Sequence, residues 1–422
     1  MEKFIIKGGK RLNGEVEISS AKNSVLPILA STILSDSICV FNNIPKLEDV
    51  NVLYEVLQSL NAKVILRKDN KIEIDTRNLN LEEVSNELVR KMRASFLIMG
   101  AMLARFGYFK ISLPGGCNIG SRPIDLHLKG LTALGAEIRT EHGFVEAKAD
   151  KLKGAKIYLD FPSVGATENI MMAASLAEGE TIIENAAEEP EIIDLANFLK
   201  SMGAKIYGEG TDTIRIVGVD KLMGTEYTPI FDRIEAGTFM IAAAITKSKI
   251  KLTNVNEEYL KPVIAKMKEM GVKIEASKNT IVIDGSTDLN PIDIKTMPYP
   301  GFPTDMQAQM MSLLSIVKGT SMITETIFEN RFMHVRELVR MGANIKIDGR
   351  CAVVEGVKSL TGAEVKATDL RAGACLILAG LCAKGKTTIA DIYHIDRGYV
   401  EIEKKFQKLG ADIKRINIEE EI

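Results

Sequence analysis

One five-residue phrase recurs six times along this 422-residue chain, and it restricts the folds open to the chain more than any other feature. The phrase is Leu or Met, then Gly or Asn, Ala or Val, a polar residue, and Ile or Val. It begins at Leu60, Leu134, Met202, Met270, Met341 and Leu409, an interval of about 70 residues throughout. An amphipathic run such as Ile192–Leu199 precedes each copy, and a short alternating run follows it. A Gly or Asn between two such runs reads as a helix C-cap that feeds a strand. Upstream in each copy lies a second helix rich in small residues, exemplified by Ala94–Ala104 and Ala236–Ile245. Such helices are apolar on every face, so burial nearly all round is expected. A turn and a strand such as Thr181–Glu184 or Thr387–Ala390 complete the unit.

Each unit is βαβαβ-like and too small to cover its own faces, so neighbouring units must share a core. Six of them in a chain of this length predict two α/β lobes of three units each, with buried helices inside and sheets around them. The interval is too long for the common helical solenoids, and a propeller blade would lack helices. An ordinary doubly wound α/β fold would require six accidental matches.

Charge narrows the partners. Lys and Arg total 54 against 56 Asp and Glu, a net charge of −2, so no global basic field favours a nucleic acid or an anionic membrane. A polyanion would have to meet a local cluster. The five cysteines, at 39, 117, 351, 375 and 382, show neither CxxC nor Cys/His metal spacing, which predicts a reducing compartment without a disulfide framework. The N-terminus lacks the apolar stretch of a signal peptide. The longest uncharged apolar run, Ala372–Ala383, falls well short of the roughly 20 residues a membrane helix needs. A soluble, cytoplasmic protein is therefore expected.

Measured back from each joint, unusual residues fall at matching places. Lys22, Arg93, Gly165, Arg233, Asp305 and Arg371 mark the start of the buried helix, and Arg122, Arg331 and Arg397 mark the start of the other one. Helix N-termini carry free N–H groups and the positive dipole end, so the pattern points to anions. Lys22-Asn23 could hold a phosphate and orient a hydroxyl, or be a solvated lysine beside a capping amide. Pro162–Thr167 could cradle a diphosphate or form a plain cap. Asp305 could act as a general base, although acidic first-turn residues are also common caps.

Asp369 with Arg371, and Asp396 with Arg397, read as local acid–base pairs. His334 and His394 read as structural. Pro114–Pro123 presents Cys117 in a glycine-rich loop five residues before Arg122, and those ten residues alone fit a tight turn as readily as an anion site with a proton donor. No cluster suggests a metal, and no phosphate-binding or dinucleotide fingerprint is present.

In combination, Ser19–Ser24, Lys91–Ser95, Leu113–Leu126, Phe302–Gln307, Phe328–His334, Ala367–Gly373 and Ile395–Tyr399 carry a resemblance over nearly the whole chain. The chain resembles the UDP-N-acetylglucosamine 1-carboxyvinyltransferase family of enolpyruvyl transferases. That resemblance implies a two-lobed inside-out α/β barrel, with residues 22–230 in one lobe and 1–21 with 231–422 in the other, and a site in the cleft between them. It implies transfer of the enolpyruvyl group of phosphoenolpyruvate to the 3′-hydroxyl of UDP-N-acetylglucosamine with release of phosphate. This is the first committed step of peptidoglycan synthesis. No cofactor, metal, nucleic acid or membrane is implied, and oligomeric state is left unspecified.

By the same resemblance Asp305 takes the hydroxyl proton and Cys117 protonates the methylene carbon, with the thiol as pure acid or covalent partner both open. Lys22, Arg122 and Arg397 would clamp the phosphate, and Arg331 with Arg371 the carboxylate. Asn23 would contact the reacting groups, and Asp369 belongs to the catalytic set. The sugar nucleotide would meet Arg93, Arg122, Pro123, Ile124, Asp125, Leu126, Ser163, Val164, Gly165, Asp305 and Ile327. Phe161-Pro162 departs from relatives that carry a lysine just before Ser163. Alkylation of Cys117 by fosfomycin is also implied.

Overall fold

A computed structural model describes residues 2–69, 71–80, 96–112, 124–141 and 143–417. The six joints share one backbone geometry. Helices Glu48–Ser59, Asp125–Ala133, Pro190–Ser201, Lys261–Glu269, Val335–Arg340 and Ile402–Lys408 each end one residue before the phrase, whose first residue is the C-cap. The second residue is left-handed in every copy: φ is 68° at Asn61, 97° at Gly135, 110° at Gly203, 99° at Gly271, 93° at Gly342 and 95° at Gly410. The third residue then donates its N–H to a carbonyl five positions back, as in Ala204 N to Leu199 O at 2.9 Å and Val272 N to Met267 O at 3.0 Å. This pattern satisfies the last carbonyls of a helix and turns the chain into a strand.

The chain divides into two compact units. One takes the described residues up to Ser19 and from Phe231 onward, and the other those between Ser20 and Ile230. In the first, helices Arg233–Ile245, Gln307–Leu314 and Leu370–Cys382 pack on one another. Every residue of Arg233–Ile245 except Arg233 is buried, as burial on all faces requires. Three four-stranded sheets accompany these helices. Their strands alternate buried and exposed side chains, so one face of each lies on the helices.

The N-terminal strand Glu2–Lys7 sits between Lys386–Ala390 and Asp412–Asn417, antiparallel to both, and buries Phe4 and Ile6 completely. Asn13–Glu17 pairs in parallel with Lys249–Thr253. The first and last thirds of this unit are thereby stitched by backbone hydrogen bonds, which requires both chain segments to be present for the core to close.

The other unit repeats the plan. Helix Ile98–Phe106 packs against both Lys22–Ser31 and Val164–Ala174. Small residues make the approach possible: a Cβ added at Gly100 would lie 2.2 Å from the Asn169 carbonyl oxygen. Two four-stranded sheets and one of three described strands surround these helices. Each unit therefore shows the expected inside-out order of helices within sheets. Among the described residues no helix is long and apolar enough to cross a membrane.

Candidate active site

Asp305 lies in the short 3-10 turn Thr304–Met306 that leads into the buried helix Gln307–Leu314. Two guanidiniums converge on its carboxylate. Arg331 Nη2 donates to Oδ1 at 2.7 Å, while Arg371 donates to Oδ2 from Nη2 at 2.8 Å and from Nε at 3.1 Å. Both arginine side chains are buried, at 6% and 4% exposure, whereas Asp305 is 26% exposed. Solvent therefore reaches the acid and not its partners. Burial pushes the Asp305 carboxyl up, but Arg371 and Arg331 outweigh it and hold the group well below the usual carboxylate range. Burial would lower Arg371, yet Asp305 and its other neighbours raise it. The pair thus stays ionised, and Arg371 Nη1 is buried with no partner among the described residues.

The helix Leu370–Cys382 explains how Arg371 is aimed. Asp369 caps it, its Oδ1 accepting from the backbone N–H of Arg371 at 2.9 Å and of Ala372 at 3.0 Å. The expected Asp369–Arg371 side-chain pair gives way to this cap, because the carboxylate that bonds the first-turn N–H groups leaves the guanidinium free to reach Asp305. Behind Arg371 stands the Tyr399 ring, its centroid 5.5 Å from the guanidinium carbon. The Tyr399 hydroxyl lies 2.9 Å from Thr238 Oγ1, and Gln309 Nε2 donates to it at 3.3 Å and to the Asp305 carbonyl at 2.8 Å. One buried polar chain therefore links all three inner helices of this unit.

Arg331 and Arg397 occupy turns rather than helix starts. Arg331 precedes Val335–Arg340, and Arg397 ends the single turn Tyr393–Asp396 and is half-buried. The carboxylate of Asp396 accepts from Arg415, at 3.0 and 2.5 Å, a partner distant in sequence rather than the local one expected. His334 is 1% exposed with Nε2 3.2 Å from Met311 Sδ, and burial holds it down to about 4. Ile327 follows Glu325, whose buried carboxylate accepts the Ile327 N–H at 2.9 Å.

In the other unit Lys22 opens its helix and pairs with Asp49, Nζ to Oδ2 at 2.5 Å, both side chains nearly buried; Asn23 beside it is exposed. Ser163 caps Val164–Ala174 by accepting from Ala166 N at 3.3 Å, and the N–H groups of Val164 and Gly165 have no partner among the described residues. His127 joins this end to the stretch Ile124–Leu126. Its Nδ1 lies 3.0 Å from Asn169 Nδ2, and a Cβ at Gly165 would meet its Cε1 at 3.0 Å. Burial lowers His127 to about 4, so the ring is neutral. The two stretches expected to meet a nucleotide therefore adjoin one another.

Arg93, Cys117, Arg122 and Pro123 lie outside the described residues, as does the whole of the glycine-rich loop. Sequence reasoning missed Glu325, Thr304, Asp49, His127 and Tyr399. Among the described residues no group of three or more His, Cys, Asp or Glu side chains is placed to hold a metal ion.

A family model described as EPSP synthase (3-phosphoshikimate 1-carboxyvinyltransferase) matches residues 6–406. UDP-N-acetylglucosamine 1-carboxyvinyltransferase 2 of Clostridium tetani is 68% identical over 417 residues, covering 99% of this chain and 100% of that protein. UDP-N-acetylglucosamine 1-carboxyvinyltransferase 1 of Clostridium acetobutylicum is 66% identical with the same coverage. Among solved structures, the enolpyruvyl transferase NikO from Streptomyces tendae matches with a TM-score of 0.89 at 25% identity, over 98% of this chain and 99% of that one. An EPSP synthase from Acinetobacter baumannii matches at 0.78 and 21% identity over 99% and 100%, a likeness of fold alone.

Proposed function

The chain belongs to the EPSP synthase family, and we propose that it is an enzyme that transfers the enolpyruvyl group of phosphoenolpyruvate to the 3′-hydroxyl of UDP-N-acetylglucosamine, releasing phosphate. In the cell this is the first committed step of peptidoglycan synthesis, carried out in the cytoplasm. The observation that carries the chemistry is Asp305 held between Arg331 and Arg371, an ionised acid whose two cationic partners match an anionic substrate. Relatives named for the sugar nucleotide at 68% and 66% identity support the acceptor. A shikimate 3-phosphate acceptor is disfavoured, because it leaves Cys117 and Arg122 without a role and because the relatives at 68% and 66% identity are named for the sugar nucleotide.

The geometry sets an order of events. A carboxylate clamped by two guanidiniums is a weak base. When the substrate carboxylate takes over Arg331 and Arg371, Asp305 loses the charges that depress it and gains the strength to accept the 3′-hydroxyl proton. Arg371 Nη1, buried and without a partner among the described residues, offers the incoming anion a donor. Cys117 delivers a proton to the methylene carbon and makes C2 electrophilic, a task that suits a thiol because an unperturbed one, with a pKa of about 8.5, holds its proton at neutral pH yet releases it readily. Hydroxyl attack gives a tetrahedral ketal phosphate. Loss of phosphate with removal of a C3 proton restores the enol. Lys22, Arg122 and Arg397 hold the departing phosphate, with Asn23 at the reacting groups. Val164 and Gly165 offer their N–H groups to the diphosphate, beside Ile124, Asp125 and Leu126.

Turnover in deuterated water tests the addition–elimination route. The methyl stage exchanges protons with solvent, so deuterium enters the vinyl carbon of the product. A product free of deuterium, formed at a normal rate, contradicts this mechanism.

A further inference from the structure

We propose that Glu325 is a positioning residue that sets the orientation of Arg331 and the Asp305 turn; the proposal rests on the reading of those two residues just given. Glu325 follows the strand Thr320–Thr324 and is 1% exposed. Four donors end on its carboxylate. Oε1 accepts from Thr296 Oγ1 at 2.9 Å, Ile327 N at 2.9 Å and Phe328 N at 3.2 Å, and Oε2 accepts from Thr304 Oγ1 at 2.8 Å. The last contact is the informative one. Thr304 begins the turn that carries Asp305, and its Oγ1 also accepts from Arg331 Nη1 at 3.0 Å.

A hydroxyl has one proton to give and lone pairs to receive. A guanidinium only donates, so Thr304 Oγ1 turns a lone pair to Arg331 and gives its proton to Glu325 Oε2. That fixes Nη1 of the guanidinium and delivers Nη2 to Asp305 Oδ1 at 2.7 Å. The same carboxylate ties down Ile327 and Phe328, and the Phe328 ring lies 5.2 Å from the Arg331 guanidinium carbon. Two segments apart in sequence, Thr304–Asp305 and Ile327–Arg331, are therefore brought into register by one buried side chain. A plain loop staple would need the donors from Ile327 and Phe328 but not the polarised Thr304 bridge. Functional groups held by a satisfied supporting layer keep the geometry that chemistry needs.

Glu325→Gln keeps the shape and one acceptor oxygen, but it places an N–H where Oε2 accepted, reversing the bridge. Thr304→Val removes the bridge from the other side, and Thr304→Ser keeps the hydroxyl. The experiment measures kcat and KM for both substrates, at a temperature well below each variant's melting midpoint, for wild type, the three single variants and the E325Q/T304V double. E325Q and T304V should each lower kcat/KM roughly tenfold, mostly in kcat, and T304S should recover most of what T304V loses. The double should be no worse than the poorer single, because both break one bridge. Lowered melting midpoints with kcat unchanged, or losses that multiply in the double, would overturn the proposal while an active wild type leaves the functional reading standing. A wild type inert with both substrates overturns that reading and this inference with it.

Discussion

Replacing Asp305 by Asn keeps the side chain's outline and removes the charge that two buried arginines share. Three guanidinium hydrogen bonds of 2.7, 2.8 and 3.1 Å end on that carboxylate. A hydrogen bond involving a charged group contributes about 1.5–3 kcal/mol net, and the amide can satisfy only one arginine while turning an N–H toward the other. Loss of both arginine contacts would come to about 3–6 kcal/mol without solvent. Because the amide keeps one of these contacts and Asp305 is 26% exposed to screening solvent, the expected loss is about 2 kcal/mol. The folded pKa is held well below 3.8, so the stabilisation is complete above the unfolded value and is lost as pH falls through the folded one. Denaturation at pH 7 should therefore place D305N below wild type, with the gap closing as the solution is acidified below about pH 4. In the same variant the arginines are free of a competing carboxylate, so inorganic phosphate should raise the melting midpoint of D305N more than that of wild type. Equal stability at pH 7, or a gap that widens on acidification, would refute the clamp.

Other outcomes follow from single contacts. Gly100→Ala forces a Cβ to within 2.2 Å of a backbone oxygen that cannot swing away, so a loss of about 1–3 kcal/mol and a lower melting midpoint are expected; an unchanged midpoint would mean the inner helices are not packed this closely. His334 stays neutral in the folded chain down to about 4 against an ordinary 6.5. The unfolded chain then takes up a proton that the folded one refuses, so stability falls as pH drops from 6.5 to 4, and His334→Gln should flatten that slope. Burial puts His127 in the same window, so the slope should shrink rather than vanish. Fosfomycin should add its mass once to wild type and not to Cys117→Asp, read by mass spectrometry; a modified C117D would place the reactive nucleophile elsewhere.

What could be read from the sequence was whatever local chemistry dictates. A residue that must adopt positive φ after an amphipathic helix leaves a signature in five letters, which is why Asn61 and the five matching glycines revealed the six units. Burial of the small-residue helices was legible for the same reason, since no polar face interrupts them. Lys22, Asp305 and Arg371 stand at or just before the starts of their helices, as the spacing indicated, because a helix start is a local event. Their partners were not legible. Nothing near Asp305 says that Arg331 and Arg371 reach it, or that Asp369 spends its carboxylate on a helix cap. Glu325 escaped notice because a glutamate after a strand is ordinarily solvated, and only tertiary packing shows four donors closing on it. Asp396 with Arg397 shows the complementary limit: proximity in sequence does not name an acid's partner, and Arg415, from the strand Asp412–Asn417, donates to Asp396.

The central claim is that this chain moves an enolpyruvyl group onto a sugar nucleotide. Phosphate release from phosphoenolpyruvate, followed with UDP-N-acetylglucosamine and with shikimate 3-phosphate as separate acceptors, tests it most directly. Release stoichiometric with UDP-N-acetylglucosamine, absent with shikimate 3-phosphate and abolished in D305N, is the predicted result. No release with UDP-N-acetylglucosamine, or release with shikimate 3-phosphate alone, would contradict it.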